Sequence, residues 1–305
     1  MNREGIIAGA ISELESAGYS VETFLGSNNC FDIIARNGKK ALIIKAYENI
    51  DSIRKEQGAE LRKLASVLGA GCIIIGDRTK VFSLEDGTVY FRYDLPSVTL
   101  PTFVKILGGE CPHAMYFKGK RTVEIDPAAL GNGREFAGIS VEELARKVGV
   151  APETIYRFEK GAATSPETCR KLEKELHGAV KMQVSIFGES RKSFEDEQPD
   201  EELLGKVHDI GMRLSLFWHS PFRAYGEPEK GIFIGTGKGK ADIPKKAFEL
   251  RKTSAAIGKD SVIITKEYNH ASIEGIPVIK EEELETMSKP GDLRELISEK
   301  KKQKK

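Results

Sequence analysis

The sequence has no long apolar run, little cysteine and no excess of charge of either sign. Its 305 residues include four cysteines, and 47 lysine and arginine side chains stand against 46 aspartate and glutamate side chains. No window approaches the roughly 18 apolar residues of a membrane span, and the charged start MNREGIIAGAISELESAGYS is unlike a secretory signal. We therefore expect a cytoplasmic protein with no membrane partner. Any surface for an anionic partner must be local, because the bulk charge is balanced.

The cysteines are scattered along the chain without a CxxC pair. Such spacing suits buried thiols in a reducing compartment better than a disulfide framework or a zinc site. Cys111 and His113 are close in sequence, but two further ligands are missing nearby. We expect neither a metal ion nor a cofactor. The four cysteines are Cys30, Cys72, Cys111 and Cys169.

The first hundred residues alternate between helical and strand patterns. A helix is predicted at residues 4–17, followed by the strands FDIIAR and KKALIIKAY, which the turn Asn37-Gly38 joins. Asp51 is predicted to cap a helix that ends near Leu68, ahead of the buried strand CIIIG. This order predicts a small α/β domain over residues 1–100.

A similar order of elements returns in the last third of the chain. The segments AELRKLASVLGAGCIIIG (59–76) and FELRKTSAAIGKDSVIIT (248–265) share Glu-Leu-Arg-Lys, one glycine and two isoleucines without a gap. We infer a duplicated domain, with the second copy at residues 198–290. The acidic stretch FEDEQPDEE (194–202) is predicted to be a linker, and residues 291–305 a basic disordered tail.

The periodicity between the two copies is helical, and it indicates an all-α module at residues 113–181. Glycines at positions 131 and 133 suggest that its first helix is short or irregular. Ser140 and Glu143 have the spacing of a capping box. Helix starts are predicted at Asp126-Pro127, Ser140, Pro152 and Ser165-Pro166.

The stretch SVEELARKVGVAPETIYRFEKG, residues 140–161, resembles a helix-turn-helix of the phage-repressor Cro and C1 type. Ala145 is small where the two helices cross, Gly149 permits the sharp turn, and Ile155 anchors the second helix in the core. The alternative is an ordinary helical pair that packs for structure alone. The surroundings are similar to a family of archaeal helix-turn-helix transcriptional regulators, whose chains embed this module between α/β regions.

The resemblance implies that the second helix lies in the major groove of double-stranded DNA and that its outward side chains read bases. The candidates are Glu153, Thr154, Tyr156, Arg157 and Lys160. Arg157 can donate two hydrogen bonds to guanine, Glu153 can accept one from cytosine, and Thr154 can meet a base or a phosphate. For each of them the alternative is a solvated surface side chain.

The charge of the module is modest. Residues 140–181 contain eight lysine and arginine side chains against seven acids. Because non-specific binding is mostly electrostatic, one module should bind DNA weakly. We therefore expect a homodimer that reads two half-sites about 34 Å apart.

The stretch FDIIARNGKKALIIKAY, residues 31–47, resembles the PD-(D/E)xK nuclease fold, in which two acids and a lysine on adjacent strands hold a divalent metal. Asp32 and Lys45 match the pattern, but Ile43 stands where the second acid belongs. One carboxylate does not easily replace two in holding Mg²⁺ and activating water. We therefore expect no catalytic residues and an ion pair between Asp32 and Lys45, since a buried lysine needs a partner.

Two alternatives keep an active or ligand-binding site possible. Glu56 or Glu60 could supply the missing acid from the neighbouring helix. The glycine-rich GIFIGTGKGKADIP, residues 231–244, could cradle a phosphate beside Lys238 and Lys240, although a hairpin turn between two strands is the preferred interpretation.

The predicted fold class is α/β plus all-α, with a central Cro/C1-type helix-turn-helix bundle between two small restriction-endonuclease-like α/β domains. The predicted function is sequence-specific binding of double-stranded DNA in transcription regulation, without enzymatic activity. The nuclease-like domains would serve dimerisation or grip DNA. The alternatives are a metal-dependent DNA nuclease or resolvase-like enzyme guided by the helical module, and a protein-binding adaptor.

Overall fold

A computed structural model describes residues 1–25, 29–110, 112–117, 121–182, 193–227, 231–237, 242–268 and 270–302. No helix in these ranges is long and apolar enough to cross a membrane. The chain divides into two compact units, which are composed of separate stretches of sequence. The first unit contains Met1–Glu13, Ala46–Ile53 and Ile73–Gly188, and the second contains Leu14–Lys45, Arg54–Cys72 and Glu189–Lys305.

The first α/β copy, residues 3–107, begins with a helix, and three strands follow it. The turn at Gly38, with φ of +58°, joins the second and third strands as predicted. The elements of this copy are α1 (Arg3–Ser16), β1 (Ser20–Thr23), β2 (Ile33–Asn37), β3 (Lys40–Asn49), α2 (Lys55–Leu68), β4 (Gly71–Arg78), β5 (Thr88–Arg92), β6 (Leu95–Val98) and α3 (Leu100–Leu107). Gly69, in the left-handed conformation with φ of +62°, caps the end of α2.

The second α/β copy, residues 202–302, forms a six-stranded sheet with helices around it. Its elements are α8 (Glu202–Asp209), β9 (Arg213–Leu216), β10 (Ala224–Glu227), β11 (Ile232–Gly237), α9 (Asp242–Ile257), β12 (Asp260–Thr265), β13 (Ser272–Ile273), β14 (Ile276–Lys280), α10 (Glu281–Glu285) and α11 (Pro290–Lys302). The described strands lie in the order β13-β14-β12-β11-β10-β9.

The two copies repeat the same strand pairings, as a duplicated domain would. In the first copy β1 and β2 are antiparallel, as are β2 and β3, and in the second β9, β10 and β11 pair in the same way. In each copy a helix then leads to the next strand. That strand, β4 or β12, lies parallel to β6 or β14, which carries an antiparallel neighbour, β5 or β13.

The helical module lies between the copies in sequence and follows a short hairpin. This hairpin consists of β7 (His113–Phe117) and β8 (Arg121–Val123), and β7 runs parallel to β5. The backbone of Val123 pairs with that of Thr164, so that β8 holds the loop before the last helix of the module. The helices are α4 (Pro127–Phe136), α5 (Val141–Val148), α6 (Pro152–Phe158) and α7 (Pro166–Leu176).

Local chemistry explains where these helices begin. Asp126 accepts hydrogen bonds from the amides of Ala128 and Ala129, and Ser165 accepts one from the amide of Thr168. Each cap satisfies amides that the first helical turn leaves without an intrahelical partner. Proline follows both caps at the first helical position, where it sacrifices no hydrogen bond. The first helix, α4, runs without interruption for 10 residues despite its two glycines, and it is therefore more regular than predicted.

The predicted role of Asp51 as a helix cap is wrong. The helix α2 begins at Lys55, and Asp51 lies in a short 3₁₀ turn, Ile50–Ser52. There its carboxylate accepts a hydrogen bond from the amide of Lys80 at 3.0 Å and pairs with Arg92 at 3.3 Å. The Asp51 carboxylate therefore binds groups that are distant in sequence and does not cap the helix, as local spacing predicted.

The basic tail predicted to be disordered is helical through residue 302. Helix α11 buries Leu293 and Ile297 against the second copy. Lys300, which the charge run suggested is solvated, is buried, and its ammonium donates to the carbonyl of Val278 at 2.7 Å and pairs with Glu283. Residues 303–305 lie outside the described residues. Two apolar side chains at helical spacing are enough to dock this segment.

The acidic stretch after residue 193 is not a free linker. The side chains of Asp196 and Glu197 accept hydrogen bonds from the amides of Leu214 and Leu216 at 2.8 and 2.7 Å. The carbonyl of Glu195 accepts another from the hydroxyl of Ser215. These bonds fasten the stretch along β9, so part of it belongs to the second copy.

Candidate nucleic-acid interface and the degenerate nuclease centre

The helix α6 is fixed to the module from beneath. Ile155 and Phe158 are buried, as are Leu144 and Val148 of α5. Residues three positions apart on a helix share one face, so the same pattern that buries Ile155 and Phe158 turns the residues between them outward. The predicted anchoring of the second helix by Ile155 is confirmed.

The turn between α5 and α6 has the geometry that the sequence predicted. Gly149 has φ of +81°, a left-handed conformation that glycine adopts without steric cost. Its amide and that of Val150 donate to the carbonyl of Ala145 at 2.9 and 3.0 Å. Ala145 itself is buried, as expected where two helices cross closely. The turn therefore sets the angle at which α6 leaves α5.

The start of α5 is capped by Ser140, whose hydroxyl accepts from the amide of Glu143 at 3.1 Å. The carboxylate of Glu143 lies 3.5 Å from the ammonium of Lys147, which is one helical turn further on. The pKa of Glu142 is lowered, first by a hydrogen bond from its own amide and then by one from Ser140. These acids also stabilise the positive end of the helix dipole.

The five predicted DNA-contacting residues lie on and just after α6. Glu153, Tyr156, Arg157 and Lys160 are exposed, and Thr154 is half-buried. The Tyr156 side chain, at 49% exposure, is one of the few large apolar side chains that the described surface presents. Lys160 lies beyond the end of the helix at Phe158. Nothing within the described module covers this outward edge.

Ion pairs leave several cations of the module without an acidic partner. Of the eight cations in residues 140–181, three (Lys147, Lys171 and Lys181) have a carboxylate within 4 Å, which leaves five. Of the seven acids, five are paired, because Arg134 also binds Glu159 at 2.7 Å, which leaves two. Among the described residues no carboxylate lies within 4 Å of Arg146, Arg157, Lys160, Arg170 or Lys174. Pairing does not change the net charge of these residues, which stays close to neutral, but it leaves more cations than acids free to contact an anionic partner.

The degenerate metal position of the first copy is a buried ion pair. Lys45 donates to the carboxylate of Asp32 at 2.9 Å and to the carbonyl of Asn29 at 2.7 Å. Asp32 is fully buried and Lys45 nearly so. Ile43, at the place of the missing acid, is also fully buried. The predicted pairing of Asp32 with Lys45 is confirmed.

Neither alternative acid completes a metal site. Glu56 is exposed on α2, while the buried Glu60 accepts hydrogen bonds from the amides of Trp218 and His219 at 2.6 and 2.7 Å. Across the described ranges no three His, Cys, Asp or Glu side chains cluster in a way that could hold a metal. A divalent cation with oxygen ligands does not fit one carboxylate that a lysine already neutralises. Cys111 and the side chain of His113 lie outside the described residues.

The second copy has lost both groups of this centre. The amide of Arg223 donates to the carbonyl of Ile234 at 2.8 Å, as that of Asp32 donates to the carbonyl of Ile44 at 2.8 Å. Arg223 therefore occupies the position of Asp32. By the same register, Gly235 stands where the first copy has its lysine.

The interpretation of residues 231–244 as a hairpin between two strands is wrong. The strand β11 ends at Gly237, and helix α9 begins at Asp242, so the glycine-rich stretch connects a strand to a helix. Residues 238–241, with Lys238 and Lys240, lie outside the described residues.

Sequence reasoning missed the role of Glu60 as an acceptor for the second copy. Its partners are more than 150 positions away, so no local pattern reveals them. The one available signal is the Glu-Leu-Arg-Lys motif, which both copies carry.

Comparisons with known proteins agree with both motifs. Residues 3–112 match a PD-(D/E)XK superfamily domain, and residues 133–178 match a helix-turn-helix domain. A protein of Archaeoglobus fulgidus named "Putative HTH-type transcriptional regulatory protein" is 31% identical over 301 residues, which cover 97% of each chain. A protein of the same name from Methanothermobacter thermautotrophicus is 31% identical over 309 residues, which cover 99% of this chain and 98% of the relative. No solved structure matches the chain.

Proposed function

The chain belongs to the archaeal family of HTH-type transcriptional regulatory proteins, and from that premise we propose that it binds double-stranded DNA sequence-specifically through α6. The observation that carries the proposal is the outward edge of this helix. It is exposed, it contains Arg157 without a carboxylate partner among the described residues, and it stands on a buried apolar anchor.

Individual roles follow from donor and acceptor chemistry. The planar guanidinium of Arg157 matches the two acceptors on the major-groove edge of guanine. Glu153 accepts from the amino group of cytosine, and Thr154 and Tyr156 each reach a base or a phosphate. Lys160, past the end of the helix, is suited to a phosphate. Together these groups give one strong base contact and several that fix position.

We infer that the DNA-bound form is a homodimer. A module with one bidentate base contact and a handful of free cations gains little affinity alone, and two modules on a twofold axis read two half-sites. We propose that the nuclease-like regions, at 1–100 and 198–290, act without cleaving DNA. The buried pair of Asp32 and Lys45 and the single carboxylate support this proposal.

Selection from a pool of random duplexes, repeated at two salt concentrations, tests sequence-specific binding. We expect one motif to be enriched, with two related halves if the dimer forms. Salt separates phosphate attraction, which weakens steeply as salt rises, from base reading, which changes less. A protein that enriches no sequence at either salt concentration is an adaptor rather than a regulator.

The variant Arg157→Ala then tests the assigned reading edge. We expect it to weaken binding to the selected duplex by about 1 to 3 kcal/mol, roughly five- to 160-fold, and to relax the preference at one base pair. Arg170→Ala is the matched control, because it removes the same charge from another exposed arginine of the module that has no carboxylate partner among the described residues. Equal losses in the two variants would contradict base reading by Arg157.

A further inference from the structure

Two lysines at equivalent positions of the α/β copies make equivalent contacts with the opposite copy. Lys63 of α2 lies 5.0 Å from the ring centroid of Phe217, and Lys252 of α9 lies 5.1 Å from that of Phe24. Each lysine ends the shared Glu-Leu-Arg-Lys motif, and each phenylalanine directly follows the first strand of its copy. All four residues belong to the same compact unit. The contact therefore occurs twice, in the reciprocal manner of a twofold dimer.

The aromatic groups at the contact repeat as well. Phe24 packs edge-on against Phe31 with centroids 5.0 Å apart, and Phe217 packs edge-on against Phe222 at 5.1 Å. The interplanar angles, 77° and 72°, are also alike. Edge-to-face pairs of this kind have a specific geometry. Both copies therefore have the same aromatic arrangement at their contact.

The loop Trp218–Ser220 of the second copy lies against the degenerate centre of the first. The two carboxylate oxygens of Glu60 accept from the amides of Trp218 and His219. From the other side, the amide of Cys30 donates to the carbonyl of His219 at 2.6 Å, and its thiol lies 3.6 Å from the hydroxyl of Ser220. Cys30 is two residues from Asp32. Both Glu60 and Cys30 therefore hydrogen-bond to backbone groups of the loop. These bonds lie next to Asp32, where the PD-(D/E)xK fold would hold its metal.

We propose that the two α/β copies form an intramolecular dimer in which the Trp218–Ser220 loop closes the Asp32–Lys45 centre, with Glu60 as the receptor for its backbone. The site takes a peptide turn that offers two consecutive amides, and its occupant is a segment of the same chain. The copies then neither cut DNA nor join two chains through this face. This inference does not depend on DNA binding by α6, so either proposal can fail alone.

The chemistry of Glu60 favours such a receptor. A carboxylate that accepts two amides makes charge-assisted hydrogen bonds, which are stronger than neutral ones. Glu60 is buried, so its charge has lost water and depends on these donors. Burial also raises the pKa of the Cys30 thiol to about 12, and a buried protonated thiol reacts slowly.

The variant Glu60→Ala in the full chain tests the receptor, with Glu56→Ala as its matched control. Glu56 is an exposed acid one turn earlier on the same helix. We expect Cys30 to be alkylated roughly ten- to hundredfold faster in Glu60→Ala, as peptide mass spectrometry measures, because loss of the charged acceptor favours local opening. The amides of Trp218 and His219 should exchange hydrogen faster in the same variant. The control should leave both rates unchanged.

Hydrogen exchange in the buried strand β12 reports whether the compact unit that holds Cys30 and the loop has opened as a whole. Faster exchange of the Trp218 and His219 amides in Glu60→Ala, with unchanged exchange in β12, supports the receptor. Unchanged exchange of the two loop amides overturns the proposal whatever the rate at Cys30, because loss of the nearby Glu60 carboxylate by itself lowers the pKa of this thiol. If β12 also exchanges faster, the milder variant Glu60→Gln decides, because it keeps one acceptor oxygen: selective acceleration at the loop amides supports the proposal, and equal acceleration in β12 overturns it.

Discussion

The two α/β copies differ at the position of the nuclease metal centre and resemble each other where they meet. The first copy keeps Asp32 and Lys45 as a buried ion pair, whereas the second has Arg223 and Gly235 at the same places. By contrast, Lys63 and Lys252 make matching contacts with the opposite copy. The two copies therefore share a contact surface but not the charged groups of this centre.

The environments of Asp32 and Arg223 also differ. Asp32 is fully buried, and its charge needs Lys45. The Arg223 side chain is 31% exposed, pairs with Glu201 at 3.4 Å and stacks on the Trp218 ring at 4.2 Å. A group with access to water tolerates loss of a partner, while a buried charge does not. The same position therefore has a large structural role in one copy and a small one in the other.

The largest expected effect is that of Asp32→Ala, which leaves the Lys45 ammonium buried without its carboxylate. We expect the free energy of unfolding to fall by about 3 to 5 kcal/mol. Arg223→Ala, at the equivalent position, should cost about 1 kcal/mol, since its side chain is partly solvated. Urea unfolding of both variants measures the difference. A similar loss for both would mean that the copies do not differ at this position as the structure indicates.

Replacing both members of the pair sharpens this test. The double variant of Asp32→Leu and Lys45→Leu removes both charges together, and we expect it to recover most of the stability lost in Asp32→Ala. A double variant as unstable as the single one would show that the pair has a further role.

The next effect concerns helix α11, which follows the last strand of the second copy. Leu293 is fully buried, and we expect Leu293→Ala to lower the free energy of unfolding by roughly 3 kcal/mol. Glu295→Ala, at an exposed position of the same helix, is the control and should change it by less than about 0.5 kcal/mol. Thermal unfolding compares the two. Equal stabilities of the two variants would indicate that this segment does not pack against the second copy.

The smallest effect tests the reciprocal contact itself. Lys63→Ala and Lys252→Ala each remove a cation from above a phenylalanine ring, and we expect each to cost about 1 kcal/mol. Lys63 also pairs with Glu197 at 2.8 Å, and Lys252 donates to the carbonyl of Thr23, so only the ring contacts are equivalent and we expect the two losses to be of similar size. Lys55→Ala and Lys245→Ala, at exposed positions of the same two helices, should have no measurable effect. Clearly unequal losses would contradict the twofold arrangement.

The features that the sequence predicts well depend on neighbours along the chain. The caps at Asp126, Ser140 and Ser165 use amides two or three residues away, and the turn at Gly149 uses a carbonyl four residues back. The ion pair of Asp32 and Lys45 is predictable because the turn at Gly38 sets the register between their strands. Short sequence separation lets composition and spacing determine the structure.

The features that the sequence does not predict depend on partners far away. Asp51 has the right type and position for a helix cap, yet Arg92 and the Lys80 amide bind it. The lysines at the end of the chain look solvated, yet Lys300 meets a carbonyl and a carboxylate of the second copy. In the sequence Glu60 is a candidate for the missing metal ligand, yet its carboxylate binds the amides of Trp218 and His219. In each case tertiary contact outweighs local preference.

Pro152, at the first position of α6, fixes one backbone dihedral of this helix before any partner arrives. Ile155 and Phe158, which are buried beneath it, hold the rest of the helix in place. Association with DNA therefore does not need to fold the helix, and the entropy cost of ordering it is already met in the free protein. The heat capacity change of complex formation should accordingly reflect the surface that the two molecules bury, without the larger decrease of coupled folding.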